Sequence, residues 1–410
     1  MSYEIRACAS PAELAVALRP IWHYFGRTAP RDEDVQAIVR LLPPDRLHGA
    51  WDRGDVVGGA GAFPFELTVP GGRVRAAGVT AVAVLPSHRR RGVLTGLMRA
   101  QLDDCRARRE PVAYLWATED RIYTRFGYGI ASFAGEVELP RERGAFHTAF
   151  PPAGDVRLVR PLEAQPLIAP VYDRVARQRA GMFGRTSAWW EARILSDFEW
   201  RRGGAGELQC AVLELDGAPA AYALYRLHLA SDRGVQNGAV EVVEAMGDSA
   251  VATRAIWRFL LDIDWMATVR AHLLPLDHPL LLLLAEPRRL RFTYRDGLWV
   301  RLVDVGAALS ARAYTGGDGT TDAVVVEVAD AFCPWNAGRW RVGGPGGAER
   351  TERAPDLRCD VTALGSVYLG GFTWAQLARA FRVEELTAGA VARADRCFHT
   401  DTAPWCPYIF

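Results

Sequence analysis

Apolar and polar positions change period several times along the chain, and each change marks an element. After Ser10, Pro11–Leu18 repeats its apolar residues at helical spacing, and Asp32–Leu42 does so again until Pro43-Pro44 ends it. Val56–Phe65 and Arg73–Val84 read as two strands joined through the turn formers Pro70-Gly71-Gly72. Val93, Leu94, Leu97, Met98 and Leu102 then share one face of a helix over Val93–Arg106, and Val112–Ala117 returns to a strand. Strand, helix and strand in that order predict a parallel pair with the helix as crossover.

A weaker copy of the same plan follows. Glu241–Ala245 is strand-like and leads through Met246-Gly247-Asp248-Ser249 into a helix over Ala250–Leu261, which predicts a duplicated domain or a second, unrelated α/β unit. The leucine run Leu280–Ala285 is far shorter than the ~20 residues of a membrane span and is expected to be buried. Near residue 300 the pattern changes again. Strands are expected at Trp299–Val305 and Ala323–Val328, a short helix and an exposed turn within Gly306–Gly319, and a glycine-rich charged loop at Gly343–Glu352. Thr373–Ala380 and Val383–Leu386 are expected to be the helical part of a small α+β domain. The fold class is therefore mixed α/β and α+β, with domains at 1–140, 141–298 and 299–410.

Composition narrows the chemistry. A chain of 410 residues exceeds what one core supports, and a formal net charge of +1 with half the residues apolar suits a globular protein without a nucleic-acid partner. All 49 basic residues are arginine, so a P-loop lysine and a Schiff-base lysine are both excluded. The seven cysteines are scattered with no C-x-x-C pair, which favours free thiols in a reducing cytoplasm over a zinc site. Glu4 and Arg6 stand where a secretion signal would be apolar.

One stretch carries the chemistry. In Val79–Thr95 a β-branched strand runs into Ser87-His88-Arg89-Arg90-Arg91-Gly92 and then a long amphipathic helix. The first N–H groups of a helix lack intrahelical partners, and its dipole adds about half a positive charge there. A glycine lets backbone approach a phosphate, and arginines add forked donors. Three arginines alone would also suit a solvated turn; the flanking strand and Gly92 favour the anion cradle. His88 faces either solvent or phosphate.

These residues resemble the acetyl-CoA motif of GNAT acetyltransferases, as Arg89-x-x-Gly92-x-Leu94 with Leu94 departing from the usual small residue. The wider run "VAVLPSHRRRGVLTGLM", then "RIYTRFGYGIAS", "DGLWVRLVDV" and "LGSVYLGG", resembles the enhanced-intracellular-survival (Eis) family over the whole chain. The resemblance implies tandem GNAT domains, the second degenerate, followed by a sterol-carrier-like domain. It implies that the backbone of Val82, Ala83 and Val84 pairs with the pantetheine arm of acetyl-CoA. Arg90, Arg91, Gly92, Val93, Leu94 and Thr95 would hold the pyrophosphate, with Thr118 and Glu119 further along. Tyr123 matches the family's general acid and the Phe410 carboxylate its general base, while Tyr128 is read as packing. The apolar residues Trp405, Pro407, Tyr408, Ile409 and Phe410 suit a docked tail better than a frayed one.

Family members acetylate amines of aminoglycosides through acidic pocket residues, and here the matching positions are Tyr24, Ala81, Trp116 and Ile409. A polycation gains less from such a pocket, so a less charged amine becomes the expected acceptor. The resemblance also implies a homohexamer of two trimers. A lipid-binding protein using the third domain and an inactive GNAT scaffold are the two other readings.

Overall fold

The computed structural model describes residues 3–27, 31–315, 323–343 and 347–410. Contacts divide the chain into two units, the first formed by residues 1–132 with 297–401 and 409–410, the second by residues 133–296 with 402–408. The chain passes from the first unit to the second after Ser132 and returns at Gly297. The strand Phe133–Pro140 belongs to the second unit's sheet, because it pairs with Met266–Leu274.

In the first unit, β1 (Glu4–Ala7), β2 (Leu47–Asp52), β3 (Asp55–Val69), β4 (Gly72–Val84), β5 (Val112–Trp116) and β6 (Gly129–Ile130) share a sheet with Leu298–Leu302. The late strand lies between β5 and β6, antiparallel to both, and every residue in it is buried. Helices α1 (Pro11–Ala17), α2 (Arg19–Tyr24) and α3 (Asp32–Val39) precede β2, and α4 (Val93–Ala107) crosses from β4 to the parallel β5. Ser10 caps α1, its hydroxyl accepting from Glu13 N at 3.3 Å. The apolar face of α4 buries Val93, Leu97, Met98, Leu102 and Cys105, the periodicity read from sequence. Arg46, just before β2, and Glu110, just before β5, form a buried ion pair at 2.8 Å.

The C-terminal part of this unit adds a sheet in the order Ala348–Arg350, Gly338–Val342, Val324–Ala329, Leu357–Asp360, Val383–Glu385. Two expectations change here, and a third, the short helix, is met. Val383–Glu385 is a strand, not helix, because it pairs antiparallel with Leu357–Asp360 and buries only Val383. The glycine-rich stretch holds a short strand at Ala348–Arg350, while its residues 344–346 lie outside the described residues. The short helix appears at Val305–Ser310; part of the expected turn, residues 316–319, also lies outside them. A helix missed by periodicity, Val361–Tyr368, is buried at all eight residues, capped by Asp360 accepting from Ala363 N at 2.8 Å. It is buried all round, with Thr362 and Ser366 enclosed among its apolar residues, so no solvent-facing polar stripe announces it.

The second unit repeats the strand–helix–strand plan. Gly238–Gly247 runs parallel to Met266–Leu274, and the helix Ala250–Asp262 between them is capped by Ser249 and buries Ile256, Trp257, Leu260 and Leu261. The leucine run is only half buried: Leu280 and Leu284 are enclosed, whereas Leu282 is 80 % exposed, since a four-residue helix has one inner face. Among the described residues no helix is long and apolar enough to cross a membrane.

Candidate active site

The pairing of β3 with β4 runs from Val69↔Gly72 to Gly58↔Val84 and is interrupted once, between Gly59 and Gly61. Opposite that irregularity Ala81 has φ +52°, a left-handed conformation that costs a non-glycine residue on the order of 1 kcal/mol. On its other side β4 pairs with β5 only over Ala76, Ala77 and Gly78. The two parallel strands therefore part after Gly78↔Tyr114, and the end of β4 carries backbone groups that β5 does not take up. Leu85 N donates to Val57 O at 2.8 Å, so by alternation the Val84 carbonyl faces away from β3. There it accepts the Tyr24 hydroxyl of α2 at 2.9 Å.

After β4 a tight turn at Pro86–His88 leads to Arg90 at φ +61° and Gly92 at φ +84°. Gly92 is the N-cap of α4, no side chain caps the helix, and its first backbone bond is Gly96 N to Gly92 O at 3.0 Å. The N–H groups of Val93, Leu94 and Thr95 therefore point out of the helix unpaired along it, with Arg89 and Arg90 exposed beside them. A phosphate fits such a seat: a Cβ built on Gly92 meets nothing within 4 Å.

A cavity of about 590 Å³ connects these parts. It brings together Tyr24, Val82, Ala83, Val84, Arg90, Gly92, Val93, Leu94, Thr95, Thr118, Glu119 and Tyr123 from the sequence-based set. Arg91, Ala81, Trp116, Ile409 and Phe410 are not among its lining residues. Ile21, Phe25, His88, Arg89, Ile122 and Arg125 line it as well. Ile21 and Phe25 carry a signal that sequence reading passed over, an i, i+4 apolar pair formed by α2 and its C-cap residue and flanking Tyr24. His88 is held by Asp52, Nε2 to Oδ2 at 3.3 Å, and by the Ser87 hydroxyl.

Tyr123 ends the short helix Asp120–Tyr123 and opens the turn Thr124–Phe126, closed by Gly127 at φ +88°. Its ring is buried edge-on against Tyr128 at 5.8 Å, while the residue still reaches the cavity. Burial, with the Glu119 carboxylate adding to it, pushes the Tyr123 hydroxyl up to about 12. Tyr123 is thus protonated throughout the neutral range. Tyr128 is fully buried and lines no part of this cavity, a packing residue.

Phe410 sits where β4 and β5 part. Its ring meets Tyr114 at 5.0 Å and Phe65 at 5.3 Å, and a Cβ on Gly78 would come within 3.2 Å of it. Gly78 and Tyr114 are the last paired residues of the two strands. Ala81 and Trp116 lie beyond that fork on β4 and β5, and Ile409 is half exposed. Among the described residues no cluster of histidine, cysteine or carboxylate side chains has metal-binding geometry.

Comparison with known proteins places this geometry. Residues 9–131 and 181–302 each match an acetyltransferase (GNAT) domain, and residues 305–407 match a sterol carrier protein domain. An uncharacterized N-acetyltransferase of Streptomyces coelicolor is 43 % identical over 398 residues, covering 94 % of each chain. The N-acetyltransferase Eis of Mycobacterium tuberculosis is 35 % identical over 382 residues, covering 90 % of each. The crystal structure of Eis1 from Mycobacterium abscessus superposes with a TM-score of 0.86 at 36 % identity, covering 99 % of this chain and 100 % of that one. A GCN5-related N-acetyltransferase from Anabaena variabilis shares the fold, with a TM-score of 0.84 at 21 % identity and full coverage of both chains. With its two GNAT domains and a sterol-carrier-like C-terminal domain, the chain belongs to the Eis family of N-acetyltransferases.

Proposed function

We propose that this acetyltransferase moves the acetyl group of acetyl-CoA to a primary amine of a small molecule by direct attack. The observation that carries the reading is the single cavity joining the uncapped start of α4, the open edge of β4 and Tyr123. In this reading Arg90 to Thr95 hold the pyrophosphate, with Arg91 adding charge from the rim. The edge at Val82–Val84 aligns the pantetheine arm, and Thr118 and Glu119 flank it. Amine attack on the thioester carbonyl releases a thiolate, and Tyr123 gives it a proton. The Phe410 carboxylate takes the proton from the attacking amine, and the ring's seat at the fork holds it in place.

Tyr24, Ala81, Trp116 and Ile409 shape the acceptor side. Within the cavity, Tyr24 with Ile21 and Phe25 beside it favours an amine with apolar surface over an aminoglycoside polycation. Residence in the cytoplasm fits the free, buried cysteines, and a homohexamer is the expected assembly, to be checked by light scattering. A lipid-carrier role for the third domain has the family match in its favour, but the wholly buried helix Val361–Tyr368 favours a closed core there.

The test is thiol release from acetyl-CoA against aminoglycosides, polyamines, amino acids and aryl-alkyl amines. Wild type would be run beside Tyr123→Phe and a chain lacking Phe410. Turnover with an apolar amine that collapses in both variants is expected. Unchanged turnover in both removes the catalytic assignment, and no turnover with any amine favours lipid carriage or an inactive scaffold.

A further inference from the structure

Arg301, on the strand Leu298–Leu302, has a side chain with no exposed surface, and its Nη2 donates to Asp330 Oδ2 at 2.6 Å. Asp330 is buried too. Its Oδ1 accepts from Cys333 N at 2.9 Å, and its Oδ2 also accepts from Asn336 Nδ2 at 3.0 Å. The carboxylate thus fixes the guanidinium and the loop from Asp330 to Asn336 at once.

The guanidinium backs the turn that carries Tyr123. A Cβ built on Gly127 would lie 2.4 Å from Arg301 Nη1 and 2.6 Å from its Cζ, so only a glycine α-carbon fits against this group. Gly127 N bonds back to Thr124 O at 2.9 Å, and Tyr128 N to Tyr123 O at 3.3 Å, which makes the turn one rigid piece. The same loop meets the turn a second time, where Phe332 packs edge-on against Phe126 at 5.1 Å. Tyr123, Phe126, Tyr128 and Cys333 belong to one packed cluster.

We propose that Arg301, fixed by Asp330, is a positioning residue for Tyr123, so that the sterol-carrier-like part of the chain sets the geometry of the acid. The inference rests on Tyr123 acting as the acid. An ion pair this deeply buried adds little net stability against an apolar pair of similar volume. A planar group stacked on a glycine turn and locked by a carboxylate gives a definite place to the side chain at the turn's start.

The test replaces the pair by an apolar one, Arg301→Met with Asp330→Leu, which keeps volume without leaving a lone buried charge. Phe332→Ala loosens the same turn from its half-buried side and serves if the double variant does not fold. Titration calorimetry with acetyl-CoA counts competent sites, and turnover is expressed per site. A fall in kcat of roughly 10- to 100-fold for the double variant, and a smaller one for Phe332→Ala, is expected from misplacing an acid by about 1 Å. KM for acetyl-CoA should stay within about twofold, because the phosphate seat and the β4 edge are untouched. Restoring Asp330 with Arg301→Lys should leave kcat low, since lysine keeps the charge and loses the plane. Wild-type turnover per site in the double variant, or in Phe332→Ala where the double variant does not fold, overturns the inference alone, provided Tyr123→Phe is inactive. Full turnover in Tyr123→Phe overturns the acid assignment and this inference with it.

Discussion

Gly92 separates folding from binding in one substitution. It caps α4 with φ +84° and ψ −6°, and a Cβ there would meet no atom within 4 Å. Gly92→Ala therefore creates no clash and costs only the left-handed strain, about 1 kcal/mol. In a unit of this size that lowers the thermal midpoint by about 2–4 °C. Gly92→Asn, which tolerates the conformation, should lose less. Binding obeys a different rule. If a pyrophosphate lies against the Gly92 α-carbon, any Cβ intrudes on it, so both variants should weaken acetyl-CoA by about tenfold or more, or about 1.4 kcal/mol. Calorimetric scanning gives the first quantity and isothermal titration the second. Alanine and asparagine should differ in stability and agree in affinity. Affinities within twofold of wild type in both, beside the expected loss of stability in alanine, would refute the phosphate seat.

Other perturbations follow from buried groups. Glu119→Gln removes the minor cause of the raised Tyr123 pKa, so the hydroxyl should titrate below its value of about 12 while burial keeps it above 10. The alkaline limb of kcat should move down correspondingly, since a raised pKa keeps the acid protonated to higher pH; an unmoved limb separates Glu119 from Tyr123. His278 accepts from Leu280 N at its Nδ1, 3.2 Å away, and burial lowers its pKa from 6.5 to about 3. Its depressed value stabilises the fold above 6.5, and that contribution, about 5 kcal/mol at most, is lost as pH falls from 6.5 toward 3. Urea unfolding should show a smaller acid loss in His278→Asn than in wild type, and equal losses would remove the histidine from the account. Glu110→Ala leaves Arg46 buried without its 2.8 Å partner and should cost about 3–5 kcal/mol by urea unfolding; a loss under 1 kcal/mol would show that the Ala62 carbonyl and the Asp104 carboxylate, 3.8 Å away, suffice.

Much of the site was legible because it is local. The helix over Val93–Arg106, the strand before it and the arginine–glycine turn between them are contiguous, and their periods are strong. What sequence could not reveal is set by pairing at a distance. Ala81 looks like any strand residue, yet its left-handed φ and the parting of β4 from β5 open the edge that the cavity uses. Val383–Leu386 reads as helical because so short a run carries no period, and the strand character of Val383–Glu385 comes from its pairing with Leu357–Asp360. The leucine run offered no polar face, so its exposed side at Leu282 could not be told from its buried one. Arg301 and Asp330 stand 29 residues apart, and only the fold makes them a pair.

The strand Leu298–Leu302, wedged between β5 and β6, has a consequence for how the chain is made. On the ribosome the first sheet is left without this member until the 164 residues from Phe133 to Asp296 have emerged. Its neighbours must wait with an open flank, so closing this sheet is a high-contact-order step and is expected to be slow. The interposed unit has its own sheet and can form in the interval. A chain cut after Ser132 would therefore hold the arginine–glycine turn and Tyr123 yet expose the apolar faces that Leu298–Leu302 covers, and it should aggregate rather than fold.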